Sequence, residues 1–254
     1  MQKNDTKPFS LWDIPLALVL LTRLPLPRLP EPVFRRQAQA AWAFPVAGLV
    51  VGGIACMVGW LAMVFHLFPL VAATLLVATL IMMTGAMHED GLADTFDGLW
   101  GGFTPERRLE IMKDSQTGTY GVLALVISQL ARVLAVAAIL ASGSIWTILA
   151  ACACSRALMP VLMASLPNAR KSGLSHSVGT PSTISVSMSL GLAVLIAVFL
   201  CGGMAITAIF SAALVAAILA LIARKKIGGQ TGDILGASQQ LAEIAFLLAI
   251  SARI

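Results

Sequence analysis

The chain has 254 residues, 58% of them hydrophobic and only 11% charged, with a mean hydropathy of +0.90. A soluble domain carries about 25% charged residues, so this composition excludes an ordinary water-soluble fold and points to a membrane protein. The net charge of +5 would suggest nucleic acid in a soluble protein; here basic loop residues set topology instead, and no nucleic-acid partner is expected.

At the N-terminus, Lys3 and Lys7 precede an apolar run at 14–21 that imitates a signal peptide. No small-residue cleavage site follows, so a retained first membrane element is expected. That first segment, 9–26, is interrupted by Asp13, Pro15 and Arg23; whether it spans or dips in and returns stays open. Segment two covers 40–65 and carries Gly48, Gly52, Gly53 and Gly59, which permit close helix approach. Segment three, 70–87, has no charge at all. After the acidic stretch that follows it, Thr104-Pro105-Glu106 reads as a helix start, giving a short amphipathic helix to Asp114 at the membrane surface. Segments four to seven cover 122–141, 145–166, 184–200 and 204–223, and a last one covers 234–250. The expected fold is an all-α polytopic bundle of about seven or eight hydrophobic helices. No internal repeat is evident, and 1–254 reads as a single integral membrane domain. Cys56, Cys152, Cys154 and Cys201 all lie in apolar runs and are expected as buried free thiols.

The loops alternate in charge. Those on one face hold Arg28, Arg35, Arg36, Arg107, Arg108, Lys113, Arg170, Lys171, Arg224, Lys225 and Lys226, while the other face has only Lys3, Lys7 and Arg253. The positive-inside rule makes the basic face cytoplasmic, and every long polar loop opens there.

On that face lies His88-Glu89-Asp90-Gly91-Leu92-Ala93-Asp94-Thr95-Phe96-Asp97-Gly98. In a helix Asp90, Asp94 and Asp97 fall at i, i+4 and i+7 and share one face. Carboxylates at a membrane mouth are functional suspects. These are hard oxygen ligands suited to Mg²⁺, which commonly bridges a few carboxylates to substrate phosphates. A solvated acidic cap on a membrane helix is the plainer alternative. Glu89 points about 100° away from Asp90 and is not expected on the metal. His88 is open to three roles: general base, metal ligand or simple hydrogen-bond partner. Gly91 and Gly98 would admit a phosphate or a second backbone. A second polar site, Gly228-Gly229-Gln230-Thr231-Gly232-Asp233, could offer backbone N–H groups to an anion. Arg23 and Arg156 are expected to snorkel or hold phosphate. Arg132 and Glu243 are candidates for an interior ion pair.

The motifs resemble the cobalamin synthase (adenosylcobinamide-GDP ribazoletransferase) family. The resemblance rests on Thr22-Arg23-Leu24-Pro25, Phe44-Pro45 with Gly48, and His88-x-Asp90-Gly91-Leu92-Ala93-Asp94-x-x-Asp97-Gly98. It continues in 109–115, Gly118-Thr119, Ser155-Arg156 and Gly229-Gln230-Thr231-Gly232-Asp233-x-x-Gly236-Ala237. Glu89 departs from the pattern, where an apolar residue is usual. The resemblance implies Mg²⁺-dependent joining of adenosylcobinamide-GDP to α-ribazole, or its 5′-phosphate, with release of GMP. It further implies Asp90, Asp94 and Asp97 on the metal, with His88 or one of these aspartates accepting the hydroxyl proton. Asp233 would be a further ligand or phosphate contact. Lys113, Asp114, Gly229, Thr231, Gly232 and Arg23 would serve substrate binding. The expected site of action is the inner membrane of a bacterium. Association with further copies of the chain or with other corrinoid enzymes would suit a membrane reaction whose substrates are not lipids. The aspartate pattern also looks somewhat like that of CDP-alcohol phosphotransferases, though their arginine and later spacing are absent. A cation transporter is the reading from another class, and acids gathered at one face rather than mid-membrane speak against it.

Overall fold

The computed structural model describes residues 9–254; Lys3 and Lys7 lie outside the described residues. Every regular element within them is helical. The first, α1 (Asp13–Leu21), has only nine residues. At 1.5 Å per residue it reaches about half of a bilayer's hydrocarbon core, so the first segment does not span. It is pinned instead. The buried carboxylate of Asp13 accepts hydrogen bonds from Arg36 Nε (3.0 Å), Arg36 Nη2 (3.1 Å) and Trp42 Nε1 (3.0 Å). These partners come from or border two 3₁₀ segments, Glu31–Arg36 and Gln39–Ala43, that lead into α2 (Phe44–Val64).

Next come α3 (Pro69–Thr84) and α4 (Met87–Gly101). Between them Gly85 (φ 63°) and Ala86 (φ 57°) are both left-handed. Two such residues in succession break the helical ladder, and α4 leaves α3 at 87°. With its histidine, glutamate and three aspartates, α4 therefore turns off the α3 axis. It runs from the bundle interior, where Glu89 meets Arg132 midway along α6 (Thr119–Ala141), toward one end, where Asp97 meets Gly118 and Gly121 at the start of α6. The short α5 (Pro105–Ile111) follows, with Thr104 Oγ1 accepting from the Arg107 N–H as expected of its N-cap (3.3 Å). Then come α6 (Thr119–Ala141), α7 (Trp146–Ser165), a five-residue α8 (Leu174–Val178) inside the polar loop, α9 (Thr183–Cys201), α10 (Ala205–Ile227) and α11 (Gly232–Ser251).

Five stretches are long and apolar enough to cross a bilayer, or six if α3 and α4 count as one span. This is slightly below the seven or eight hydrophobic helices expected, because α1 is short and α3 qualifies only together with α4. The longest stretch, Thr183–Ile227, is broken at Gly202 (φ 54°). Its halves fold back on each other: Leu190 and Ala193 line the same small cavity as Ile209 and Ala212. Large apolar side chains such as Ile127, Leu195, Phe199 and Phe210 face outward, as lipid contact requires. Small residues do the inward packing; a Cβ on Gly48 of α2 would collide with the Cys152 carbonyl of α7. All four cysteines are buried free thiols, as expected.

At mid-bundle the apolar core holds a closed charge network. Arg132 of α6 donates through Nη1 to Glu89 Oε1 (2.9 Å) and through Nη2 to Glu243 Oε1 (2.5 Å). Glu243 Oε2 also accepts from Gln239 Nε2 (2.7 Å) and contacts Arg156 Nη1 (3.5 Å) and Ser155 Oγ (3.3 Å), while Gln240 Nε2 donates to Glu89 Oε1 (3.0 Å). Two guanidiniums and two carboxylates balance, the condition under which buried charge is tolerated. Arg132 and Glu243 do meet. Arg156 does not snorkel: it is fully enclosed, and its Nη1 also donates to the Cys152 carbonyl (3.0 Å). Glu89 is off the aspartate face, as its helical position required, but it is the α4 member of this network rather than a bystander.

Candidate active site

The site is built where α4 crosses the start of α11. A Cβ on Gly91 would stand 2.9 Å from the Asp233 carbonyl oxygen, and one on Gly236 would stand 3.3 Å from His88 Cα. Of the two uses foreseen for Gly91, close approach of a second backbone is the one realised. This crossing carries Asp233 to the acidic face of α4. Burial, then the charges of Asp90, Asp233 and Asp97, push the Asp94 carboxyl up to about 7, with Arg170 opposing. Like charges so placed raise one another's proton affinity, and a cation among them reverses the effect. Asp90 is exposed and Asp94 half-buried, and neither carboxylate has a hydrogen bond among the described residues. Their oxygens are available.

Asp97 behaves differently. Its Oδ2 accepts from the Gly118 N–H (2.7 Å) and its Oδ1 from the Gly121 N–H (2.8 Å), both at the N-terminus of α6. A carboxylate there meets unsatisfied N–H groups and the positive end of the helix dipole. Both oxygens of Asp97 are engaged in joining α4 to α6, and the side chain is buried.

The opposite wall comes from two loops stitched together. Gln230 N–H donates to the Pro167 carbonyl and Ala169 N–H to the Gln230 carbonyl, each at 2.8 Å. Gly229 permits this contact, since a Cβ would collide with the Pro167 carbonyl. Side chains extend the stitching: Gln230 Nε2 donates to Asn168 Oδ1 (2.6 Å), and Ser175 Oγ to Gln230 Oε1 (2.6 Å). Thr231 Oγ1 caps α11 by accepting from the Ile234 N–H (3.3 Å). Arg170 leans over the site, donating through Nη1 to Asp233 Oδ2 (3.1 Å) and through Nη2 to the Leu109 carbonyl (3.0 Å). The polar cavity between these walls, about 160 Å³, is lined by Asp90, Arg170, His176, Gln230, Thr231 and Asp233 among others.

This geometry sits in a chain with clear relatives. The family model described as cobalamin-5-phosphate synthase matches residues 13–251. The chain belongs to the cobalamin-5-phosphate synthase family. It is 44% identical over 242 residues to the adenosylcobinamide-GDP ribazoletransferase of Bradyrhizobium diazoefficiens, covering 94% of this chain and 93% of the relative. It is 40% identical to the proteins of the same name from Sinorhizobium medicae (94% and 95% covered) and Brucella ovis (98% of each). No solved structure matches the chain.

The structure gathers Asp90, Asp94, Asp233, Thr231 and Gly232 at one end of the bundle. Other residues singled out in the sequence fall elsewhere. Lys113 and Asp114 are exposed on the turn after α5 and do not line the polar cavity. Arg23 is exposed and packs its side chain against Gly85 at the α3–α4 corner. His88 is 1% exposed, faces an apolar cavity rather than the aspartates, and has no hydrogen bond at either ring nitrogen. Among the described residues no three His, Cys, Asp or Glu side chains group tightly enough to hold a metal ion unaided. The residues that sequence reasoning passed over as site residues are Asn168 and Arg170, the latter read only as a charge that sets topology. Their signal was the length and polarity of the loop 167–181.

Proposed function

We propose that this chain is an adenosylcobinamide-GDP ribazoletransferase of a bacterial inner membrane, with its polar end on the cytoplasmic side. It joins adenosylcobinamide-GDP to α-ribazole, or its 5′-phosphate, and releases GMP. The observation that carries this reading is the convergence of Asp90, Asp233 and Arg170 on one polar cavity, with Asp94 one helical turn beyond Asp90 and within reach of the Asp90 and Asp233 charges, in a chain of this family. The excess of Lys and Arg in the loops at that end supports the cytoplasmic orientation.

Asp90, Asp94 and Asp233 fit Mg²⁺ by donor chemistry. They are hard oxygen ligands, too few and too loosely placed to form a cage, as suits an ion that keeps waters and completes its shell with substrate phosphate. When bound, Mg²⁺ would neutralise charge on the diphosphate and on the crowded carboxylates. Asp97 serves the site by anchoring α4 to α6. Arg170 is placed to hold a phosphate oxygen, with Asp233 fixing the guanidinium's orientation. A ribose hydroxyl of α-ribazole attacks the phosphorus on the cobinamide side, its proton passing to a nearby carboxylate oxygen, and the bond to the GMP oxygen breaks. Positioning and charge neutralisation supply most of the catalysis in such transfers.

The test is turnover by the purified, detergent-solubilised protein. GMP and a cobalamin product should form in equal amounts, and only when adenosylcobinamide-GDP, α-ribazole and Mg²⁺ are all present. GMP release without α-ribazole, or ion flux in liposomes with no GMP formed, would contradict the reading.

A further inference from the structure

Beside the polar cavity lies a second cavity with almost wholly apolar walls, including Leu21, Phe44, Met163, Val178 and Leu235. Met87, Ser175 and Gly232 line both cavities, so the two meet along a shared border. In the apolar wall sits His88, 99% buried, with Nδ1 and Nε2 both lacking a partner. Leaving both nitrogens of a buried imidazole without hydrogen bonds is destabilising and calls for an explanation. Ring contacts with a flat, apolar ligand that also offers one heterocyclic nitrogen would supply it.

We propose that this apolar cavity is the subsite for the base of α-ribazole. The base is 5,6-dimethylbenzimidazole, a fused aromatic ring with two methyl groups and one ring nitrogen left free by the glycosidic bond. Seated between Met163, Phe44 and Leu235, it buries its methyls, and its free nitrogen accepts from a ring N–H of His88. The ribose then emerges past Met87, Ser175 and Gly232 into the polar cavity, bringing a hydroxyl to the end of the bundle where Asp90, Asp94 and Asp233 converge. The inference rests on the transferase reading, and it holds alike for the free nucleoside and its 5′-phosphate, which share the base. Apolar pockets with a few placed polar groups are the usual form of such sites.

The test uses purified full-length protein in detergent, with Val178→Trp to fill the cavity from the short α8 and His88→Phe to remove the donor while keeping the bulk. Thermal melting confirms that each variant is folded. The KM for α-ribazole should rise at least tenfold in both, while the KM for adenosylcobinamide-GDP stays within about twofold. On wild-type protein, calorimetry should find the riboside of unmethylated benzimidazole about tenfold weaker than α-ribazole, since two buried methyl groups are lost. That comparison needs no variant. Unchanged α-ribazole KM in Val178→Trp, equal rises for both substrates, or equal binding of the two ribosides would overturn the subsite. A lipid acyl chain retained in the cavity of the active protein would overturn it as well. If instead wild-type protein binds α-ribazole with these preferences but releases no GMP, the transfer reading fails and the subsite stands.

Discussion

Replacing Arg132 with methionine perturbs the charge network at its centre. The guanidinium holds Glu89 and Glu243 at 2.9 and 2.5 Å, and all three side chains are buried. Without it Glu89 keeps only the Gln240 amide, and Glu243 keeps Gln239, Ser155 and the longer contact to Arg156. Two buried carboxylates then stand against one guanidinium, Arg156, which reaches only Glu243. Removing one partner of a buried pair costs about 3–5 kcal/mol. For a chain of this size each kcal/mol moves the melting temperature by about 2–4 °C, so a fall of about 6–20 °C is expected. The four buried free cysteines supply the assay, because a fluorogenic maleimide reacts with them only as the protein opens. Adding Glu89→Leu should return part of the loss by removing the stranded carboxylate. A melting temperature for Arg132→Met within about 2 °C of wild type, or no recovery in the double variant, would refute the reasoning.

The Asp94 carboxyl is raised from 3.8 to about 7, so the native state holds its proton more tightly than the unfolded chain does. The stabilisation from this group is complete below about pH 4 and is lost as pH rises through 7. Metal-free protein should therefore melt lower at pH 8 than at pH 6, and Mg²⁺ should narrow the gap; a gap that Mg²⁺ widens would contradict this. Asp97→Ala removes two charge-assisted bonds to the start of α6 and should lower the melting temperature well below that of Asp90→Ala, whose side chain is exposed; equal melting would undo the anchoring role. Arg170→Met should reduce kcat/KM for adenosylcobinamide-GDP by about a hundredfold, the usual scale for a lost guanidinium–phosphate contact, and steady-state GMP release measures it.

Most of the bundle was legible because apolar runs of bilayer length admit one structure, the helix. The 3.6-residue period also put Asp90 and Asp94 on one face and turned Glu89 off it. What the pattern could not carry was tertiary. Segment one looked like half a span, and its failure to cross depends on Arg36 and Trp42 reaching back to Asp13. Asp97 belongs to the same motif as Asp94, yet Gly118 and Gly121 claim it, and that pairing joins residues far apart in the chain. His88 stands beside the aspartates in sequence, but two helical steps of about 100° each separate it from Asp90 and turn it into an apolar cavity. Gly229 resembled an anion nest and is instead the point where two loops touch.

The central claim is that Asp94 and its neighbours hold the divalent cation on which the transfer depends. Mn²⁺ binding, read by water-proton relaxation, together with GMP release on the same preparations of wild type and Asp94→Asn, tests it directly. The account predicts at least tenfold weaker Mn²⁺ binding and at least a hundredfold loss of GMP release in a variant that melts no lower than wild type. Wild-type Mn²⁺ affinity and turnover in Asp94→Asn would contradict it.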